Sequence, residues 1–285
     1  MEYKLKSPKS FNLEHIFECG QCFRWNKQED GSYTGIFKEN VLNIKQDGDD
    51  FIFTGICKGK MQDTIEQYFD LTRNYEEMKS KLEKIDESMQ ASIKYGEGIR
   101  ILNQDLWETI ISFIISANNN IPRIKGIIER LSAKYGKEIE WNGKKYYTFP
   151  TPEELKNVTV EDYRKLGLGF RDIRLYETVH MVLDGKVNLE EMHNQKDTCK
   201  IREELLSLSG VGPKVADCIL LFSTLKRLEV FPIDVWVRRV MNELYIKNLD
   251  ENKVNKKEIE RVANEKFGNL AGIAQQYLFY WKREA

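Results

Sequence analysis

The stretch LLSLSGVGPKVADCILLF, residues 205–222, predicts a helix, a short glycine-rich hairpin and a second helix. Gly210 and Gly212 allow tight backbone turns, and Pro213 suits the first position of the next helix. Within that helix Val215 and Ile219 recur at helical spacing, so they are expected to face a core. The fold around this hairpin is therefore expected to be helical.

Lys214 follows the two glycines, in the first turn of the second helix. It shares a stripe with Cys218, four residues on, that differs from the core stripe, so both are expected to face a cleft. The helix N-terminus disfavours a cation and favours an anion such as phosphate. Two interpretations follow: Lys214 is a solvated surface lysine, or it is an amine that serves as a nucleophile.

A second landmark is VFPIDVWVRRVM, residues 230–241. Pro232 ends an extended run, and Asp234 directly precedes an apolar helical pattern, where aspartate is a preferred N-cap. Capping satisfies backbone N–H groups and also fixes the carboxylate in space. The sequence therefore predicts a rigidly held Asp234, whether its role is structural, chemical or both.

Composition bounds the function. The 285 residues are 41% hydrophobic and 31% charged, and 44 basic residues against 45 acidic ones give a net charge of −1. This balance provides no global attraction to nucleic acid, although helix N-termini and a few arginines can bind phosphate locally. The longest apolar stretch, TIISFIISA from Thr109, is too short to span a bilayer, and the first ten residues lack a secretory signal. We expect a soluble intracellular protein.

The cysteines are odd in number and scattered along the chain, which favours reduced thiols: Cys19, Cys22, Cys57, Cys199 and Cys218. One CxxC pair without a second pair or paired histidines does not complete a tetrahedral metal site. No metal centre and no cofactor are predicted.

The chain divides into two unlike parts. Residues 22 to 56 combine short β-branched and aromatic runs with Asp30–Gly31 and Asp47–Gly48 turns, which predicts an antiparallel sheet. Later segments have helical periodicity, with a capped helix start at residues 151–154 and helix ends at Gly136, Gly167 and Gly185. The predicted class is α+β, with an N-terminal antiparallel sheet domain with helices over residues 1–95 and a larger helical domain over 96–285.

The hairpin LSGVGPKVADC followed by FPIDVWVRR resembles the helix-hairpin-helix DNA glycosylases, in which a lysine at this place marks enzymes that also nick the strand. Further stretches are similar to the 8-oxoguanine DNA glycosylases of that superfamily: ECGQCFRW (18–25), SFIISANNNIPRIKGIIERL (112–131), LGLGFRDIRLYE (166–177) and LAGIAQQYLFYW (270–281). No cysteine follows Cys218, which argues against the branches with an iron–sulfur cluster.

The resemblance implies a bifunctional mechanism. Lys214 attacks the sugar C1′ and forms a Schiff base from which β-elimination cleaves the strand, while Asp234 stabilises developing positive charge. The hairpin N–H groups of Gly210, Val211 and Gly212 bind a DNA phosphate, as does Trp236, which stands where the family often has histidine.

The resemblance also implies two recognition sites. In the lesion pocket, the Gly20 carbonyl accepts from N7–H of 8-oxoguanine, Phe279 and Cys218 cover the faces of the base, and Gln275 binds its Watson–Crick edge. Outside the pocket, Phe170 inserts as a wedge into the gap that the extruded base leaves in the base stack of the duplex. Phe170 stands where the family often has tyrosine. Asn118, Arg123 and Arg171 bind the estranged cytosine.

Several alternatives stay open from sequence. The enzyme could act on another oxidised or alkylated base, or the hairpin could belong to a non-catalytic DNA-binding module. Phe170 could be a core aromatic, and Asn118 could cap a helix while both arginines bind phosphates. The expected partner is double-stranded DNA containing 8-oxoguanine, with no membrane, bound by a monomer in the cytoplasm with the nucleoid or, in a eukaryote, in the nucleus.

Overall fold

The two predicted Asp–Gly turns join strands of one antiparallel sheet in the computed structural model, which describes residues 1–250 and 254–284. The sheet has the order β1-β5-β4-β3-β2 and five strands: β1 (Glu2–Leu5), β2 (Trp25–Lys27), β3 (Tyr33–Phe37), β4 (Asn40–Asp47) and β5 (Asp50–Ile56). Gly31 and Gly48 have φ of +80° and +62°, which glycine adopts without steric cost. The prediction of an antiparallel N-terminal sheet is confirmed, and β1 was missed because its partner β5 is distant in the chain.

One face of this sheet carries an aromatic core. Trp25 stacks on Phe17 with ring centroids 4.3 Å apart, and Phe37 stacks on Tyr68 at 3.9 Å. The Trp25 indole donates a hydrogen bond of 3.0 Å to the Tyr68 hydroxyl, which satisfies both buried polar atoms. Two helices complete the layer: α1 (Leu13–Phe17) and α2 (Met61–Tyr68).

The rest of the described chain is mainly helical. Its helices are α3 (Tyr75–Glu83), α4 (Glu87–Tyr95), α5 (Leu106–Ser116), α6 (Ile121–Tyr135), α7 (Val160–Lys165), α8 (Asp172–Leu183), α9 (Leu189–Asn194), α10 (Thr198–Ser207), α11 (Pro213–Phe222), α12 (Val235–Met241), α13 (Lys256–Phe267) and α14 (Ala271–Glu284). As predicted, helices end at or just before Gly136, Gly167 and Gly185. No helix of residues 1–250 and 254–284 is long and apolar enough to cross a membrane.

Two local predictions were wrong. A hairpin of β6 (Glu138–Trp141) and β7 (Lys144–Tyr147) interrupts the helices, because Asn142–Gly143 adopts positive φ and closes a two-residue turn. The predicted helix start at Thr151 makes its reciprocal hydrogen bonds with Glu154, yet residues 152–157 form only turns. A separate capping box at Thr159 starts α7 immediately afterwards, which leaves no length for a helix.

The molecule has two hydrophobic cores. One lies under the sheet and includes Phe17, Phe53 and Leu102, and the other joins the helices from α3 to α14. Helices α3 and α4 therefore pack with the helical part, although they precede residue 95. The division at residue 95 stays a prediction, since the two cores overlap along the chain: Cys19 and Phe23 belong to the helical core and Leu102 to the core under the sheet.

A buried polar cluster joins the sheet part to the helical part. Lys226 is 8% exposed, its Nζ donates to the carbonyls of Ile101 and Leu102, and it lies 3.7 Å from an Asp70 carboxylate oxygen. Arg100 donates to the Asp70 carbonyl at 2.7 Å. Burial lowers the pKa of the Lys226 amine to about 7, with Asp70 acting in the opposite direction.

This cluster predicts a pH dependence of stability. The unfolded lysine keeps its proton until about pH 10.4, whereas the folded one releases it from about pH 7, so the unfolded state binds more protons above pH 7. We expect the free energy of unfolding to rise by about 1 kcal/mol between pH 7 and 8 relative to Lys226→Met. Urea unfolding at each pH measures it, with the exposed Lys200→Met as control. Parallel pH profiles of wild type and Lys226→Met would contradict the assignment.

Candidate active site

The hairpin between α10 and α11 is held by close backbone packing. Gly210 has φ of +84°, and a Cβ at this position would lie 2.9 Å from Cδ of Arg174 and 3.3 Å from a methyl of Ile114. Helix α8 fixes the hairpin from below, because the Thr178 hydroxyl donates to the Ser209 carbonyl at 2.9 Å. Glycine at 210 is thus required by both conformation and space.

One of the three predicted phosphate donors is already used inside the hairpin. The N–H of Val211 donates to the Leu208 carbonyl at 3.1 Å, so the prediction for Val211 is corrected. Gly212 is exposed and has open space beside its Cα, directly before α11. Gly210 and Gly212 remain the predicted phosphate donors of the hairpin, at the positive end of the α11 dipole.

Lys214 is the second residue of α11 and is half-buried. Its Nζ lies 5.5 Å from the centroid of the Phe113 ring on α5. Phe113 in turn packs against Phe23 and Phe222, with centroids 5.5 and 5.6 Å away. Among the described residues, the Lys214 amine forms no ion pair. The amine therefore lies beside an aromatic ring and has no carboxylate partner among the described residues.

Asp234 is the predicted N-cap of α12. Its carboxylate accepts a hydrogen bond of 2.8 Å from the Val237 N–H, and the residue itself is half-buried. Burial raises the pKa of the Cys218 thiol to about 11; Lys214 opposes this rise, and Asp217 and Asp234 add to it. Both Lys214 and Asp234 therefore lie within electrostatic reach of Cys218.

Two of the three opposite-base candidates, Asn118 and Arg123, are exposed beside the start of α6. Asn118 is exposed with φ of +52°, and Asn120, not Asn118, is the N-cap of α6. Arg123 reaches the Gly167 carbonyl at 3.2 Å. Phe170 is 54% exposed, which excludes the core alternative for this residue.

Arg171 differs from the prediction. It is 1% exposed, and its guanidinium donates hydrogen bonds to backbone carbonyls. Nε donates to the carbonyl of Ala117 at 2.9 Å, Nη2 to that of Asn118 at 2.7 Å and Nη1 to that of Leu168 at 3.2 Å. In this conformation it holds the Asn118 backbone and does not present donors to solvent. Only Arg123 of the two arginines is placed at the surface.

Sequence comparison covers both parts of the chain. Residues 4–110 match the profile described as 8-oxoguanine DNA glycosylase, N-terminal domain, and residues 111–268 match the HhH-GPD superfamily of base excision DNA repair proteins. The chain belongs to the 8-oxoguanine DNA glycosylase family. The resemblance stated from the motifs is confirmed, as is the α+β class with a helical helix-hairpin-helix part.

Individual relatives agree. The glycosylase is 32% identical over 257 residues to a probable N-glycosylase/DNA lyase of Methanothermobacter thermautotrophicus, covering 82% of this chain and 78% of that one. It is 43% identical to the 8-oxoguanine glycosylase/lyase of Clostridium acetobutylicum. The apo structure of that protein gives a TM-score of 0.92 with 98% and 96% of the chains covered. Its complex with dsDNA containing cytosine opposite to 8-oxoG gives 0.91 with 100% and 98%.

The predicted lesion pocket of the glycosylase is assembled from the two ends of the chain. Gly20 has φ of +84°, and a Cβ there would lie 3.3 Å from Nη1 of Arg283 and 3.7 Å from the Phe279 ring. Gln275 lies one helical turn before Phe279 on α14 and is buried. The structure thus brings Gly20 beside Phe279, as the resemblance implies.

One crevice beside the predicted pocket is closed. It lies between α12 and α14, is lined by Gln275 and Phe279 and is too narrow for a water molecule, and neither Gly20 nor Cys218 is among its walls. This crevice does not place Cys218 and Phe279 on two sides of one cavity. The Cys218–Phe279 sandwich therefore stays a prediction about the DNA-bound state.

Sequence reasoning missed two supporting residues of the glycosylase. Gln21 is fully buried and fixes the Gly20 loop, because its amide donates to the carbonyls of Ile16 and Arg100 and accepts from the Leu102 N–H. Phe113 lies below Lys214. Gln21 lies in ECGQCFRW and Phe113 in SFIISANNNIPRIKGIIERL, but a glutamine between cysteines or a phenylalanine in an apolar helix carries no local signal.

Trp236 is exposed as a DNA contact requires. It is 50% exposed at the start of α12, and the Arg239 guanidinium lies 5.5 Å from the ring centroid. An indole N–H can donate to a phosphate oxygen, so the departure from histidine preserves a donor. Its phosphate contact stays a prediction.

Proposed function

We propose that this enzyme removes 8-oxoguanine from duplex DNA and then cleaves the abasic strand through a lysine Schiff base. The observation that carries the proposal is the joint placement of Lys214, in the first turn after the glycine hairpin, and Asp234, fixed as an N-cap. Lys214 and Asp234 both act on the pKa of Cys218, in opposite directions, which supports the proposal that they share one cleft. Similarity to a known 8-oxoguanine glycosylase/lyase supports the choice of lesion.

The chemistry proceeds in balanced steps. The Lys214 amine bonds to C1′ as the C1′–N9 bond breaks, and the electron pair leaves with the base, which takes a proton. The nitrogen loses one proton, the C1′–O4′ bond breaks with its electron pair going to O4′, which takes a proton, and the nitrogen lone pair forms the C=N bond of a protonated Schiff base. Removal of a C2′ proton then expels the 3′ phosphate by β-elimination, and water releases the lysine. Asp234 stabilises the positive charge that develops on the sugar.

Selection of the lesion is assigned to the Gly20 carbonyl. In 8-oxoguanine N7 carries a hydrogen and can donate, whereas guanine presents an acceptor at N7. If guanine were bound, its N7 acceptor would face the Gly20 carbonyl oxygen, which is also an acceptor. A buried polar group would then be left without a hydrogen bond, at a cost of roughly 1 to 3 kcal/mol. Gln21 holds this loop rigidly through three buried hydrogen bonds, which supports discrimination by a fixed carbonyl.

Selection of the opposite base is assigned to Asn118 and Arg123, with Arg171 in a changed role. Cytosine exposes the acceptors N3 and O2 beside the N4 amino donor. The Arg123 guanidinium can donate to these acceptors, and the side-chain amide oxygen of Asn118 can accept from N4. Arg171 either keeps Asn118 in place or, after a shift of the loop, donates to the base. The enzyme acts wherever the cell keeps its DNA, in the nucleoid region of a prokaryote or the nucleus of a eukaryote.

One panel of duplexes tests the function and the opposite-base assignment. Single-turnover excision is measured on 8-oxoguanine, an alkylated purine and undamaged guanine, each opposite cytosine and adenine. We expect excision of 8-oxoguanine opposite cytosine to be fastest and to exceed excision opposite adenine by about tenfold or more, since each good contact contributes about 1 to 3 kcal/mol.

Two variants separate the arginines. Arg123→Ala should remove most of the cytosine preference with little change in thermal stability, because its side chain is exposed. Arg171→Ala should also lower the thermal midpoint, because three carbonyl contacts are lost. Fastest excision of the alkylated purine would overturn the lesion assignment, and equal rates opposite both bases would overturn the opposite-base assignment.

A further inference from the structure

Arg174, in the first turn of α8, is a cation without an acceptor. Its guanidinium lies 5.1 Å from the centroid of the exposed Phe170 ring, and its aliphatic carbons pack on Gly210 of the hairpin. It forms no hydrogen bond and no ion pair with any residue in 1–250 or 254–284. The side chain therefore spans from the predicted wedge to the predicted phosphate-binding hairpin with its donors unused.

The surroundings of Arg174 favour an anion. Burial lowers the pKa of the Arg171 guanidinium, and the nearby cations Arg123 and Arg174 lower it further, so the three arginines lie within electrostatic reach of one another. The acidic residues near Arg174 in α8 have other partners: Asp172 pairs with Arg164 at 2.8 Å, and Glu177 accepts a hydrogen bond from the Ser209 hydroxyl. In a chain whose net charge is −1, this is a local concentration of positive charge.

We propose that Arg174 binds a backbone phosphate of the lesion-bearing strand, next to the phosphate held by the Gly210–Gly212 hairpin. The proposal rests on the proposed function, because it takes the hairpin side of the cleft as the path of that strand. A guanidinium offers planar paired donors that match phosphate oxygens, and it keeps its charge when partly buried. The Phe170 ring against the Arg174 guanidinium limits the rotation of that group. A phosphate bound by Arg174 would therefore be held at a fixed position relative to the wedge residue Phe170.

A purely structural role is the rival explanation, in which Arg174 only covers Gly210. Packing and charge can be separated by substitution. Arg174→Met keeps an apolar side chain over Gly210 and removes the charge, whereas Arg174→Lys keeps a cation. Lys200→Gln is the matched control: it removes one exposed positive charge at the end of α10 opposite the hairpin.

The test is the salt dependence of binding to an undamaged duplex, together with single-turnover excision at saturating enzyme. Arg174→Met should weaken binding on the order of tenfold at low salt and reduce the slope of log K against log salt by about 1. Arg174→Lys should keep the wild-type slope, as should Lys200→Gln. Excision of 8-oxoguanine by Arg174→Met at saturating enzyme should fall by a smaller factor than its affinity for DNA, because the contact positions the strand and takes no part in the chemistry.

The outcomes separate this proposal from the function itself. A wild-type slope in Arg174→Met overturns the phosphate contact, even if wild type excises 8-oxoguanine as proposed. The reduced slope supports it, even if the preferred lesion is another base. A lowered thermal midpoint in both Arg174→Met and Arg174→Lys, with unchanged salt slopes, identifies the structural role.

Discussion

Lys214→Gln is expected to abolish covalent trapping of the enzyme on lesion-containing DNA by borohydride. Glutamine keeps a polar, unbranched side chain beside Phe113, one atom shorter than lysine, but has no nucleophilic amine, so no Schiff base can form. Base excision should fall on the order of 10³-fold or more, because loss of a nucleophile leaves only binding and electrostatic stabilisation. Gel detection of the adduct and single-turnover excision of 8-oxoguanine measure the two effects.

Two controls make the Lys214 result specific. Lys200→Gln removes an exposed lysine of α10 and should trap like wild type. Lys214→Arg keeps the positive charge at the head of α11 and should bind DNA normally but fail to trap, since guanidinium does not give up its proton. Trapping of Lys214→Gln at the wild-type level would show that an amine other than Lys214 is the nucleophile.

Asp234→Asn is expected to lower excision by about 10²- to 10⁴-fold while DNA binding persists. Asparagine can accept the same hydrogen bond from the Val237 N–H, so the N-cap and the shape of the site are retained. What is lost is the negative charge that stabilises the developing cation on the sugar. Single-turnover rates at saturating enzyme report this loss, and binding to undamaged duplex confirms that the hairpin is intact.

A second aspartate serves as the matched comparison. Asp197 caps α10 by accepting from the Cys199 N–H at 2.9 Å, so Asp197→Asn changes a cap of the same kind at a place remote from Lys214. It should leave excision unchanged. Asp234→Ala should add a loss of about 0.5 to 2 kcal/mol in stability to the loss of rate, because the cap disappears. Near-normal excision by Asp234→Asn would reduce Asp234 to a structural cap.

The most local patterns of the sequence predicted the framework well. The glycine hairpin with Pro213 and the cap at Asp234 lie where their residues indicated. The Asp–Gly turns of the sheet also formed as predicted. Each depends on φ restrictions or on a hydrogen bond within four residues, so the chain carries the whole signal in a short window. The Asn142–Gly143 turn carries the same kind of signal and was overlooked among the helical periodicities.

The roles of individual donors were decided by tertiary structure. Sequence placed Arg171 beside Arg123 as a second reader of the opposite base, yet its guanidinium is buried against carbonyls that lie more than 50 residues away in the chain. The sequence predicted the Val211 N–H as a free backbone donor, but in the folded hairpin it donates to the Leu208 carbonyl. Whether a polar group is available to a ligand depends on what else surrounds it, and a linear pattern does not encode those neighbours.

By itself, therefore, the sequence determined the class of fold, the hairpin, the position of Lys214 in the first turn after it and the cap at Asp234, because these follow from local conformation and from motifs spread over most of the chain. Only the tertiary structure decided that β1 joins β5, that Gln21 fixes the Gly20 loop, and that the crevice beside Phe279 is closed. These features come from contacts between segments distant in sequence. Their free energies depend on burial and partner geometry, which exist only once the chain is folded.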